Sequence, residues 1–168
     1  MENVITAVRL HQSLIKLCDT IEEQKEYLSD LDGAIGDGDH GVNMAKCFRG
    51  VKSKLQDCQA KDVGSVLSTV GMEVMNSVGG AMGALYGTLF IKMAGVVGQK
   101  VAIDLHDLKT MFEDALDGIL AIGKAKVGDK TLVDTLTPAV QALIEADNNG
   151  LSLERAMENF DSSAHKGM

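Results

Sequence analysis

The chain has no tryptophan, two tyrosines and four phenylalanines among 168 residues. Aromatics make up 4% of it while hydrophobic residues make up 45%. A core of this composition is aliphatic, built from Leu, Ile, Val, Met and Ala, and 168 residues suffice to bury one without staples. The three cysteines, Cys18, Cys47 and Cys58, are an odd count with no C-x-x-C spacing. They read as free thiols in a reducing compartment. No excess of basic residues exists either. The net charge of −8 argues against a nucleic-acid partner, which needs a basic surface. It leaves room for a nucleotide, because a bound cation inverts the local charge. No signal peptide opens the chain, and no run approaches the roughly 20 apolar residues of a membrane span. The expected protein is soluble and cytoplasmic, with no membrane and no nucleic acid among its partners.

Several catalytic patterns are also missing. The four histidines, His11, His40, His106 and His165, show no H-x₃-H pairing. No Ser-His-Asp or Cys-His constellation can be argued, so no catalytic side-chain nucleophile is assigned. There is no G-K-[ST] of a Walker A loop.

What is present is a dense acidic loop. Leu31 to Met44 reads LDGAIGDGDHGVNM, with Asp32, Asp37 and Asp39 separated by Gly33, Gly36 and Gly38. Glycine costs about 1 kcal/mol per position in a helix interior relative to alanine, so this is a loop. Such a loop brings three carboxylates to one point. Two unit charges 4 Å apart interact by roughly 4 kcal/mol at an effective dielectric of about 20. Three converging carboxylates therefore call for a cation. Oxygen-only ligands favour Mg²⁺ or Ca²⁺, and the D-x₄-D-x-D spacing is not that of an EF-hand. Mg²⁺ is usually shared between one or two carboxylates and phosphates. The alternative reading is an Asp/Gly turn whose carboxylates serve as Asx-turns and helix caps.

Periodicity around the loop is helical throughout. Residues 3–28 form one expected helix, with Leu10, Leu14, Leu17 and Ile21 on a face widened by Val4, Val8, Ile15 and Cys18. A second runs from near Gly41 to Gln56, so the loop feeds a helix N-terminus suited to an anion. A third covers Val63 to Val78. The stretch SVGGAMGALYGT, Ser77 to Thr88, carries four glycines and is expected to break the helix, which resumes from Leu85 to Val97; it reads either as a backbone that comes close to a ligand or as small residues that let helices pack tightly. Asp104 and Asp107 have capping-box spacing at the head of a helix reaching Ile122. GKAKVGDKT, Gly123 to Thr131, is a polar turn whose three lysines meet either a helix dipole or a phosphorylated ligand or partner. Leu132 to Ala146 is helical, with Pro138 marking either a kink or a start capped by Thr137. Ser152 caps a last helix, Leu153 to His165. No period-two apolar segment appears. The expected fold is all-α, about seven antiparallel helices in an up-down bundle.

IGDGDHGVNM, followed in order by SVGGAMGALYGT and GKAKVGDKT, resembles the nucleotide-binding subunit of phosphotransferase-system-dependent dihydroxyacetone kinases. The same domain forms the C-terminal half of ATP-dependent dihydroxyacetone kinases. The resemblance implies a barrel-like bundle, eight helices in the family, forming a single nucleotide-binding domain over residues 1–168. It implies ADP/ATP as cofactor, held through two Mg²⁺ ions on Asp32, Asp37 and Asp39. It places His40, Gly41, Val42 and Asn43 on the phosphates, Ala81 and Met82 in the Gly-rich wall, and Gly123 and Leu132 beside the nucleotide. Two partner subunits are implied: a phosphohistidine donor of the phosphotransferase system, which rephosphorylates ADP, and a subunit that holds dihydroxyacetone as acceptor.

The chain departs from the family pattern at Met82, where Ser is usual, at Ala84, where Pro is usual, and at Leu132, where Met is common. The family also continues past Lys166-Gly167-Met168 into a segment that closes over the nucleotide, and the expectation is that this lid is absent. Alternative readings are a domain of an ATP-dependent dihydroxyacetone or related carbonyl or sugar kinase, a nucleotide-sensing module that binds a transcription regulator, and a bundle holding only a structural cation.

Overall fold

Amphipathic helices with short connectors can bury their apolar stripes only by packing on their neighbours in sequence. The structure, a computed structural model, describes residues 3–168. Its helices are α1 (Ala7–Glu23), α2 (Lys25–Gly33), α3 (His40–Asp57), α4 (Val63–Ser77), α5 (Gly80–Val97), α6 (Leu105–Gly123), α7 (Leu132–Asn148) and α8 (Leu153–Gly167). Two short strands, β1 (Ile5–Thr6) and β2 (Ala102–Ile103), pair antiparallel, Ile5 against Ile103 and Thr6 against Ala102. The all-α bundle holds, with eight helices rather than seven among the described residues.

Neighbouring helices run in opposite directions. Along α1 and α3, Glu22 pairs with Arg49, Asp19 with Lys52, and His11 with the Leu55 carbonyl, so one number falls as the other rises. Gly71 meets Ile91 and Gly87 meets Met75 across α4 and α5. Lys92 pairs with Asp114 across α5 and α6, and His106 with Asp147 across α6 and α7. Alternation collects the loops 34–39, 78–79 and 124–131 at one end, together with the C-terminus of α8. The β1–β2 pair and the connectors 58–62, 98–104 and 149–152 lie at the other.

Aliphatic side chains fill the interior as the composition requires. Leu55, Val63, Val70 and Leu143 are fully buried, and no charged or polar residue is buried among those described. Phe112 and Phe160 join α6 to α8 with ring centroids 4.8 Å apart.

Four expectations are corrected. The single helix over 3–28 is two, parted at Gln24, whose ψ of 6° ends α1 and starts α2. Val8 and Leu17 are exposed, because the buried face of α1 centres on Ala7, Leu14 and Cys18. The glycine-rich stretch does not break the helix until Leu85; α5 starts at Gly80, because Gly83 and Gly87 let it lie directly on α4. Of the two readings of Pro138 the structure takes the one in which it lies inside the helix: α7 starts at Leu132 as expected, capped by Thr131. Finally, α5 has a mean hydropathy of 1.4 over 18 residues, long and apolar enough by length and composition alone to cross a membrane. Here it packs between α4 and α6. The capping box of Asp104 and Asp107 and the Ser152 cap are as expected.

Candidate metal and diphosphate site

The acidic loop leaves the last turn of α2 and enters α3 after six residues. Its path is fixed by backbone bonds: the Ile35 and Gly36 N–H groups return to the Asp32 carbonyl at 3.1 and 2.6 Å. Gly38 turns the chain at φ +75°, a conformation that costs other residues about 1 kcal/mol or more. The result is that Asp32, Asp37 and Asp39 each offer a carboxylate oxygen within 4.8 Å of the others.

What those oxygens bind separates the two readings of the loop. Asp39 occupies the N-cap position of α3, yet its side chain makes no capping bond. Asp32 Oδ2 accepts the His40 N–H at 3.3 Å. No other hydrogen bond or ion pair engages the three carboxylates among the described residues. A loop built only for caps and Asx-turns would have spent Asp37 and Asp39 as it spends Asp32. Asp37 and Asp39 are exposed and Asp32 half-buried, so the cluster opens to solvent at the end of the bundle. Hard, ungrouped oxygens in this number suit a Mg²⁺ that keeps coordination positions for water or phosphate.

Helix N-termini supply the complementary donors. Thr6, Asp62, Asp104, Thr131 and Ser152 cap α1, α4, α6, α7 and α8 with their side chains. Helix α2 continues from α1. Only α3 and α5 start at this end without a side-chain cap. Their first turns carry His40, Gly41 and Val42, and Ala81 and Met82; the His40 N–H is bound to Asp32, and the N–H groups after it and at the start of α5 are left, with the positive dipole ends, for an anion. Gly41 is buried where α3 crosses α2; a Cβ there would overlap the Lys25 carbonyl and come within 2.7 Å of Ser29 Oγ. Val42 and Ala81 are exposed, Asn43 and Met82 half-buried. The Met82 side chain packs on the core, so only its main chain remains for a ligand.

Gly123 and Leu132 gather elsewhere on the same end. A Cβ at Gly123 would sit 3.6 Å from Leu85 Cδ2, and Leu85 and Leu132 both pack on the cluster of Ile119 and Val133. This group and the aspartates are joined through α4, which packs on both α3 and α5. The lysine turn between Gly123 and Leu132 is held by Asp134. Its carboxylate accepts the Gly128 N–H at 2.5 Å and the Thr131 N–H at 2.9 Å, and these bonds hold its pKa below the ordinary value. Lys124 and Lys130 take positive φ, and Lys124, Lys126 and Lys130 are exposed with no ion partner among the described residues. Asp134 was legible only as the fourth residue of Thr-x-x-Asp, a capping-box spacing.

Comparison with known proteins places this geometry in context. The chain is 40% identical over 151 residues to the ADP-binding subunit of the PEP-dependent dihydroxyacetone kinase of Escherichia coli strain K12, spanning 90% of this chain and 72% of that one. It is 40% identical over 148 residues to the ADP-binding subunit of PEP-dependent dihydroxyacetone kinase 1 of Listeria innocua, 88% of this chain and 74% of that one. The fold is similar to that of the C. freundii dihydroxyacetone kinase solved with AMP-PNP and Mg²⁺, with a TM-score of 0.72, 24% identity, and 94% of this chain and 28% of that chain covered. The model of the DAK2 domain matches residues 34–168, and the chain belongs to the DAK2 domain family.

Proposed function

We propose that this chain is a cytoplasmic ADP-binding subunit of a PEP-dependent dihydroxyacetone kinase. It carries a phosphoryl group from a phosphohistidine donor subunit of the phosphotransferase system to dihydroxyacetone held on a separate subunit. The observation that carries the reading is the convergence of three carboxylates, two of them without any partner among the described residues, at the end of the bundle where α3 and α5 start without a side-chain cap from their own N-cap residues. Its family and its relatives support the choice of nucleotide and substrate.

In this reading Asp32, Asp37 and Asp39 hold two Mg²⁺ ions, and ADP/ATP is the resident cofactor. Bound metal supplies neutralisation of the charge on the phosphates, which is most of what phosphoryl transfer asks of a protein. The chain's own residues then have distinct tasks. The Asp32 carboxylate fixes the first turn of α3 through the His40 N–H. The first turn from His40 to Asn43 lies on the phosphates with the Gly41 and Val42 N–H groups as its donors, those of His40 and Asn43 being bound to the Asp32 carboxylate and the Asp39 carbonyl; the main chain at Ala81 and Met82 serves from α5. Gly123 leaves room for the nucleotide, and Leu132 with Leu85 offers it an apolar side. No side chain is needed as a nucleophile. Residues 1–168 act as one nucleotide-binding domain. No observation points to a transcription regulator as partner.

The test is reconstitution. With both partner subunits and a PEP-driven phosphotransferase supply, the chain with bound ADP is expected to sustain dihydroxyacetone phosphate formation. Full activity from free ATP with this chain alone would contradict the reading.

A further inference from the structure

Helix α2 contains no buried residue, unlike every other helix described. One side of it packs on α3, where Gly41 meets Lys25 and Ser29. The opposite side presents Tyr27 and Leu31, one helical turn apart, and Ile35 continues the row one turn later in the acidic loop. Their exposures are 60%, 56% and 100%. Exposed apolar residues are ordinary singly, but a row of three on an unpartnered helix face marks an interaction site.

The surroundings of the row specify what fits it. Glu26 and Asp30 are exposed along the same helix, and Glu23, the last residue of α1, is exposed just before it. Asp19 and Glu22 are paired with Lys52 and Arg49, and from Glu23 to Asp39 the chain carries six further carboxylates against the single Lys25. A second copy of this chain would bring acidic rim against acidic rim, and an anionic membrane surface would be repelled in the same way. The complementary surface is a protein with an apolar socket bordered by lysine or arginine. Ile35 lies between Asp32 and Asp37, so a protein seated on this row lies against the candidate metal site. Transfer of a phosphoryl group to a small alcohol competes with transfer to water. An apolar seal at the edge of the diphosphate is the means of excluding that water.

We propose that the Tyr27–Leu31–Ile35 row of α2 is the docking surface for the subunit that holds the hydroxyl substrate, through an apolar socket rimmed by basic residues. The inference rests on the kinase-subunit reading above.

The test measures the dissociation constant between this chain and the dihydroxyacetone-holding subunit by calorimetry, with Mg²⁺-dependent ADP binding and helical circular dichroism recorded on the same samples. Variants are Tyr27→Ser with Leu31→Ser, and separately Glu26→Lys with Asp30→Lys, whose side chains lie on the exposed face. At least a tenfold weaker complex is expected for each pair, with ADP affinity unchanged and the wild-type complex weakening as salt rises. Equal subunit affinity in all variants would overturn the docking surface and leave the kinase-subunit reading standing. No complex with wild type would overturn both. Wild-type self-association lost in the serine variant would overturn it in favour of a second copy.

Discussion

Asp32 Oδ2 accepts the backbone N–H of His40 at 3.3 Å, across the loop that joins α2 to α3. The same carboxylate belongs to the three-aspartate cluster. One residue thus shapes the loop and contributes charge to it, and the two roles separate by substitution. Asp32→Asn keeps an acceptor for His40 and removes the charge. The expected outcome is a stability change within about 1 kcal/mol by urea unfolding, because a neutral hydrogen bond remains. Mg²⁺-dependent ADP binding is expected to weaken at least tenfold. Equal losses in both measurements would make Asp32 a structural residue only.

Gly41 carries the packing of α3 on α2, since a Cβ there would overlap the Lys25 carbonyl. Backbone cannot yield as a flexible side chain does. Gly41→Ala is expected to cost about 1–3 kcal/mol, the usual range for overpacking. Because α2 and α3 flank the acidic loop, ADP affinity should fall with it. Denaturant unfolding and ADP titration of the one variant check both.

Asp134 makes the lysine turn pH-sensitive. Backbone N–H bonds from Thr131 and Gly128 hold its carboxyl below the ordinary 3.8. A carboxyl whose folded pKa is depressed stabilises fully above the unfolded value. That contribution is lost as pH falls through the folded value. Stability should therefore decline below about pH 4, and Asp134→Asn should flatten that part of the profile. Urea unfolding from pH 6 to pH 2.5 reads the difference.

Burial pushes the thiols of Cys18 and Cys47 up to about 11. Cys58 is half-buried. Thiolate is the reactive form, so iodoacetamide at pH 7.5 is expected to label Cys58 and spare the other two until the chain is unfolded. Peptide mass spectrometry before and after urea checks this. Labelling of Cys47 in the folded protein would mean that α3 opens readily.

Legibility in the sequence followed how local the cause was. The capping box of Asp104 and Asp107 is set by neighbours three residues apart, and it could be read directly. The break at Gln24 could not, because Ile21 and Leu28 keep helical spacing across it and no Gly or Pro marks it. The glycines of Gly80 to Gly87 suggest a loop by propensity and tight helix packing by size, and no spacing chooses between the two. Tertiary contact decides for packing, because small residues let α5 touch α4 at Met75 and the Val78 carbonyl just past its end. The β1–β2 pair is two residues long, too short for any alternation. At the candidate site the spacing of the aspartates was visible. That their carboxylates converge uncapped depends on the turn at Gly36 to Gly38 and on the course of α3, which no spacing states.

The most direct measurement is calorimetric titration of ADP into metal-stripped protein, with and without Mg²⁺, on wild type and Asp37→Asn. Asp37 makes no hydrogen bond among the described residues, so its amide should leave the fold intact. The account predicts ADP binding that requires Mg²⁺ and is lost in the variant. ADP binding that ignores both Mg²⁺ and Asp37 would contradict it.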